Sequence, residues 1–182
     1  MLKKYLSAII VAGAAVLALI FGLILPGATY TTEQSGLTVN VTVNLLGIMF
    51  GSAKVISSTE SAIGNVTQES TLNGGMSIFG LISLIALIAG IALIVVSIFV
   101  KGKKFDFIGA ICIAAAGVLI FLTLTCGTDV TGVTMGNNTI NSTESFVEAY
   151  EGFSLGAGAI IYGIVATLGG AFGIVNNFKK LV

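Results

Sequence analysis

The chain has 182 residues, of which 55% are hydrophobic and 9% are charged, and it contains no histidine. Soluble domains carry about 25% charged residues, so this composition excludes an ordinary soluble protein. The formal net charge is zero, so the chain has no overall excess of basic charge for nucleic acid. We therefore expect a membrane protein with the lipid bilayer as a partner and no nucleic-acid partner.

Four uninterrupted apolar runs predict membrane-spanning helices at about residues 5–25, 78–100, 107–126 and 153–175. Each run is close to the roughly 20 residues that a helix needs to cross the hydrocarbon core. The first run could instead be a signal peptide, but its apolar core is longer than the usual one, and we interpret it as a span. The outer segments are then 26–75 and 127–152, and a tight cytoplasmic turn occupies 101–106.

The lysines predict the orientation, because cytoplasmic flanks collect them. Four spans place seven of the eight lysines on one side, and Lys54 on the other side with seven of the eight acidic residues. We expect both termini in the cytoplasm. The absence of arginine beside eight lysines indicates an AT-rich genome and favours a bacterial plasma membrane.

The first outer segment contains a predicted strand, since residues 37–45 alternate between apolar and polar side chains. One strand needs partners, and residues 54–58 and 130–135 are the candidates. We therefore expect a small sheet in the outer cap. The apolar stretch 45–50 could lie in this cap or in the membrane interface.

The second outer segment contains a predicted helix start. Asn141 and Glu144 have the spacing of a capping box, so the fourth helix is expected to begin outside the bilayer. That helix would present Glu144, Glu148 and Glu151 on one side, as possible outer contacts for a partner.

Small residues recur along the last span at alternating spacings of three and four: Gly156, Ala159, Gly163, Ala166, Gly170 and Gly173. This is a heptad seam of glycine and alanine, and small side chains let membrane helices approach closely. Matching stripes include Gly90 in the second span and Gly117 in the third. The seam predicts a helix-packing surface, either within the chain or against a second copy.

These patterns together predict the fold class. We expect an all-α membrane protein, a left-handed four-helix transmembrane bundle with a small β-containing extracytoplasmic cap, forming a single integral membrane domain over residues 1–182.

The chemical inventory argues against catalysis. The spans contain no acidic residue that could bind a metal or relay a proton, and no base for a serine or cysteine nucleophile. We expect no catalytic residues, no cofactor and no metal. A scaffold that binds a membrane protein partner or associates with itself is the favoured function; a homo-oligomeric cation channel or a small transporter subunit is the alternative.

The layout resembles the claudin-type tetraspan proteins. Four spans, a strand-bearing first outer segment and a short inner turn match that family in topology, and Phe153-Ser154-Leu155-Gly156-Ala157 is similar to the start of its fourth helix. The resemblance implies a non-enzymatic protein that organises contacts in or between membranes. The first outer segment has neither the tryptophan nor the cysteines of the family's outer motif, so paracellular sealing is not implied.

Overall fold

A computed structural model describes residues 2–34, 37–61, 64–100 and 103–181. These described residues form six α-helices, one 3-10 helix and seven β-strands. In chain order the elements are α1 (Leu2–Ile24), β1 (Pro26–Gln34), β2 (Leu37–Asn44), α2 (Leu45–Phe50), β3 (Ser52–Ser61), β4 (Gly64–Gly74), α3 (Ile78–Val100), α4 (Lys103–Leu119), the 3-10 helix (Ile120–Leu122), β5 (Val130–Met135), β6 (Asn138–Glu144), α5 (Phe146–Ala149), β7 (Ser154–Leu155) and α6 (Ala157–Leu181).

The chain divides into two compact units. The helical unit comprises Met1–Phe21, Ile82–Phe121 and Ile161–Val182, and the sheet unit comprises Gly22–Leu81 and Leu122–Ile160.

Four helices are long and apolar enough to cross a membrane. Their apolar parts are Leu6–Ile24, Ile78–Val100, Lys104–Leu122 and Ala157–Asn177. In the predicted inner turn, Lys101 and Gly102 lie outside the described residues, whereas Lys103 begins α4, so part of that turn is helical. The last helix begins later than predicted, because Ser154 and Leu155 pair with β1 as a short strand.

The sheet overturns the predicted fold class. Its seven strands are antiparallel and lie in the order β6-β5-β4-β3-β2-β1-β7. An all-α, left-handed four-helix bundle with a small β cap is therefore wrong, and the chain combines α and β structure. The alternation rule missed β4 and β6 because polar residues predominate in both strands. Hairpin pairing with β3 and β5 brings them into the sheet.

The predicted strands are present. The alternating segment forms β2, and residues 54–58 lie in β3, which pairs antiparallel with β2. Residues 130–135 form β5, but this strand pairs with β4 and β6. The expected sheet was therefore too small, because the β3–β4 and β5–β6 hairpins extend it.

The core of the sheet unit lies against one face of the sheet. Cross-strand neighbours point to the same side, so Ala28, Val43 and Val55 share this apolar face. Ile48 from α2 and Phe146 from α5 belong to the same buried cluster. Residues 45–50 therefore form a short helix that packs in the sheet unit.

The predicted helix start at Asn141 is wrong. Residues 138–144 form β6, in which Ile140 pairs with Val133. The capping box lies one turn further on, where the Ser145 side chain accepts from the N–H of Glu148 at the start of α5. Strand pairing with β5 therefore displaces the helix start towards the C-terminus.

Candidate functional site

The predicted seam is buried. All six of its residues belong to the buried part of the chain: Gly156, Ala159, Gly163, Ala166, Gly170 and Gly173. Five of them lie in α6, whereas Gly156 precedes the helix and its N–H donates to the carbonyl of Gly27 at 2.9 Å. The structure therefore brings five of these residues onto one helix and places Gly156 beside β1.

Backbones touch where α6 packs in the helical unit. A Cβ atom at Gly170 would lie 2.7 Å from the carbonyl oxygen of Ala110 and 2.7 Å from the Cα of Ala114. A Cβ atom at Gly173 would lie 2.7 Å from the Cβ of Ala110 and 2.9 Å from Cγ2 of Val11 in α1. Such close approach provides the van der Waals contact that holds helices together in lipid.

The same close packing joins α3 to α4. A Cβ atom at Gly90 would lie 2.9 Å from the carbonyl oxygen of Gly109, and a Cβ atom at Gly109 would lie 2.9 Å from that of Gly90. A Cβ atom at Gly117 would likewise lie 2.7 Å from the carbonyl oxygen of Gly163 in α6. Sequence reasoning missed Gly109 because this residue lies outside the heptad stripe of α4, and its contact with Gly90 is visible only in the structure.

Large apolar side chains occupy the opposite face of α6. Spaced three and four residues apart, they are exposed: Ile160, Ile164, Leu168, Phe172 and Val175. Leu168 has an exposed fraction of 65%. A helix with small residues buried and large apolar residues exposed suits lipid tails on its outside, since water would penalise that surface.

A polar contact links three helices inside the helical unit. The Ser83 hydroxyl in α3 donates to the carbonyl of Ala116 in α4 at 2.7 Å and hydrogen-bonds with the Tyr162 hydroxyl in α6 at 3.1 Å. Ser83 and Tyr162 have exposed fractions of 0% and 1%. Buried hydroxyls need such partners, so this contact fixes how α3, α4 and α6 face one another.

The face of the sheet opposite the core is polar. Its side chains form four rows across the strands, which are Thr29-Thr42-Ile56-Glu69, Thr31-Asn40-Ser58-Thr67, Glu33-Thr38-Glu60-Asn65 and Lys54-Thr71-Thr134-Thr139. We call this surface the polar face. All of its residues are exposed or half-buried.

Hydrogen bonds order the polar face. The Thr31 hydroxyl donates to Oδ1 of Asn40 at 2.9 Å, and Lys54 forms an ion pair with Glu69 at 2.8 Å. The Thr134 hydroxyl accepts from Nδ2 of Asn73 at 2.7 Å. These contacts place hydroxyl, amide and carboxylate groups beside one another, and such an arrangement can recognise another polar surface.

Aromatic side chains close the core of the sheet unit near α5. The Phe146 and Tyr150 rings lie 4.7 Å apart, and Phe153 lies between Tyr150 and Tyr30 at 5.6 and 5.4 Å. Tyr150 is 4% exposed, and its hydroxyl has no hydrogen-bond partner among the described residues. Burial raises the pKa of Tyr150 to about 12.

The three predicted outer acids do not share a helix face. Glu144 ends β6, Glu148 lies in α5, and Glu151 follows α5 in a turn. All three are exposed. Hydrogen bonds from the side chain and the backbone N–H of Ser145 lower the pKa of Glu148, so this carboxylate caps a helix.

The described part of the chain contains no group of three or more His, Cys, Asp or Glu residues arranged to hold a metal ion. No protein-family model matches the chain, and no curated protein matches it.

Proposed function

We propose that the chain is an integral membrane protein. Four helices have the required length and hydropathy, and the large apolar side chains of α6 point outward while its small ones are buried. Under this proposal the segments 26–75 and 127–152 lie outside and both termini lie in the cytoplasm, as the lysine distribution favours. The localisation that follows is a plasma membrane.

The proposed role is that of a non-enzymatic scaffold, which binds a partner protein through the polar face. One observation carries this proposal: an ordered array of polar side chains lies across most of the sheet without any described element covering it. The exposed Glu144, Glu148 and Glu151 would add acidic contacts.

A channel is the second candidate, and it would have to form between copies. Backbone contacts at Gly90, Gly117 and Gly170 leave no room for water where these helices meet. A self-associating form would instead use the exposed apolar faces of the helices. Liposomes containing the purified chain should hold an ion gradient if the protein is a scaffold, and a cation leak would favour the channel.

Site-specific crosslinking tests the scaffold. A photoreactive amino acid at Ser58 or Thr67, neighbours on the polar face, should give one discrete adduct in native membranes. The same amino acid at Val118, which is 54% exposed on α4, should not give that adduct. The double substitution Glu33→Lys and Glu60→Lys, which reverses two charges on the polar face, should abolish the adduct. Equal adducts from all positions would contradict the proposal.

A further inference from the structure

Lys54 lies between two grooves of different chemistry in the sheet unit. The first groove is apolar and is lined by the end of α1, with Leu23 and Ile24, and by Ile56 of β3. The second groove is polar and is lined by Glu69, Thr71 and Thr134, among others. Both grooves include Lys54, and we call the two grooves together with this lysine the trough.

The apolar part of the trough is open. Ile24 has an exposed fraction of 74%, Leu23 of 48% and Ile56 of 37%. Hydrocarbon is the favourable cover for such a surface. Because α1 ends at Ile24, this groove lies where the helix would leave the hydrocarbon core, if the chain spans the membrane as proposed above.

The cation at the centre is well placed for a phosphate. Lys54 is the one lysine among the eight that falls in the outer segments. The N–H of Lys54 donates to Oδ1 of Asn44 at 2.6 Å, which fixes the backbone, and its side chain is 53% exposed and pairs with Glu69. An exposed ion pair contributes little to stability, so a second anion can compete with Glu69.

We propose that this trough binds an anionic phospholipid. The acyl chains would cover Leu23, Ile24 and Ile56, the phosphate would pair with Lys54, and a hydroxylated headgroup would hydrogen-bond with Thr71 and Thr134. The inference rests on the proposed membrane anchoring of α1. The proposed ligand therefore has three parts in order: an apolar tail, an anionic phosphate and a headgroup that carries hydroxyls.

Native mass spectrometry of the full chain in a mild detergent tests the site. Phosphatidylglycerol should remain bound more strongly than phosphatidylcholine with the same acyl chains. Lys54→Gln should lower the affinity for phosphatidylglycerol about fivefold, which is the effect of one lysine near an anionic surface. Lys54→Arg should retain the affinity. Glu69→Gln should strengthen binding by freeing Lys54, and Glu60→Gln, two rows away on the polar face, should not.

Three results would overturn the proposal: no selectivity between the lipids, equal binding by Lys54→Gln, or full competition by soluble glycerol phosphate, which would show that acyl chains do not contribute. Extraction of cell membranes with alkaline carbonate separates this failure from that of the proposed function. A chain that stays in the membrane but lacks selectivity refutes the lipid site alone, and a chain that carbonate releases refutes the anchoring.

Discussion

The hydroxyl oxygens of Ser83 in α3 and Tyr162 in α6 lie 3.1 Å apart, 79 positions apart in sequence and both fully buried. The Tyr162 hydroxyl also donates to the backbone carbonyl of Ser83 at 3.4 Å. Helices with only apolar side chains in their interface could pack in several rotations about their own axes. The hydrogen bond between Ser83 and Tyr162 favours one of these rotations.

A double-mutant cycle measures that contact. Ser83→Ala and Tyr162→Phe should each lower the free energy of unfolding in detergent. Their combination should show a coupling of about 0.6 to 1.7 kcal/mol, the range found for hydrogen bonds between membrane helices. Strictly additive effects would show that the two hydroxyls do not stabilise the helical unit together.

Glycine-to-alanine substitutions test the helix packing, because the change in stability should have opposite signs at exposed and at closely packed positions. Glycine to alanine in an exposed helix stabilises by roughly 1 kcal/mol, and Gly13→Ala should do so, because a Cβ there meets nothing within 4 Å. Gly170→Ala should instead destabilise by about 1 to 3 kcal/mol, since its Cβ would enter the backbone of α4. Thermal unfolding in detergent measures both, and equal effects would contradict the observed packing.

The unpaired hydroxyl of Tyr150 predicts a stabilising substitution. A buried polar atom without a partner costs about 1 to 3 kcal/mol, so Tyr150→Phe should raise the free energy of unfolding of the sheet unit. Tyr30→Phe is the matched control, because Tyr30 belongs to the same aromatic cluster but is only half-buried. A loss of stability in Tyr150→Phe would show that the hydroxyl has a partner.

The same residue predicts a response to alkaline pH. The folded state raises the pKa of Tyr150 from 10.0 to about 12, so the unfolded state releases its proton first. Stability is complete below pH 10 and falls as the pH rises from 10 towards 12. Tyr150→Phe should remove this part of the alkaline destabilisation, and an identical profile in both proteins would contradict it.

The capping box of α5 predicts a response to acid. The Ser145 side chain and backbone hold the pKa of Glu148 below its ordinary value of 4.5, so this carboxylate stabilises the fold above pH 4.5 and ceases to do so as pH falls through its lowered pKa. Ser145→Ala should raise that pKa in an NMR titration. Ser142→Ala, on the exposed strand β6, should leave it unchanged.

The sequence predicted the elements whose side chains carry a clear period. Such a period marks β2 and the small-residue edge of α6 from Ala159 to Gly173, whereas uninterrupted apolar runs predicted the four long helices. It did not predict the size of the sheet, because β4 and β6 contain few apolar residues and join the sheet through hairpin pairing with β3 and β5. For the same reason Asn141, with the spacing of a helix cap, lies in a strand.

The polar face could not be predicted as a surface. Thr31 and Thr67 are 36 positions apart, and only the registers of three successive strand pairs put them in one row. Lys54 was visible as an isolated outer lysine, but its position at the end of α1 depends on the fold. The residues were therefore recognisable singly, and their arrangement was not.

Cysteine labelling in intact cells tests the membrane topology most directly. In a chain whose native Cys112 and Cys126 are replaced by serine, Val66→Cys places a thiol at a residue of β4 that is 68% exposed, and Lys104→Cys places one at the start of α4. A membrane-impermeant maleimide should label the first variant in intact cells and the second only after permeabilisation. Labelling of both in intact cells, or the reverse order, would contradict a chain that crosses the bilayer four times with its termini inside.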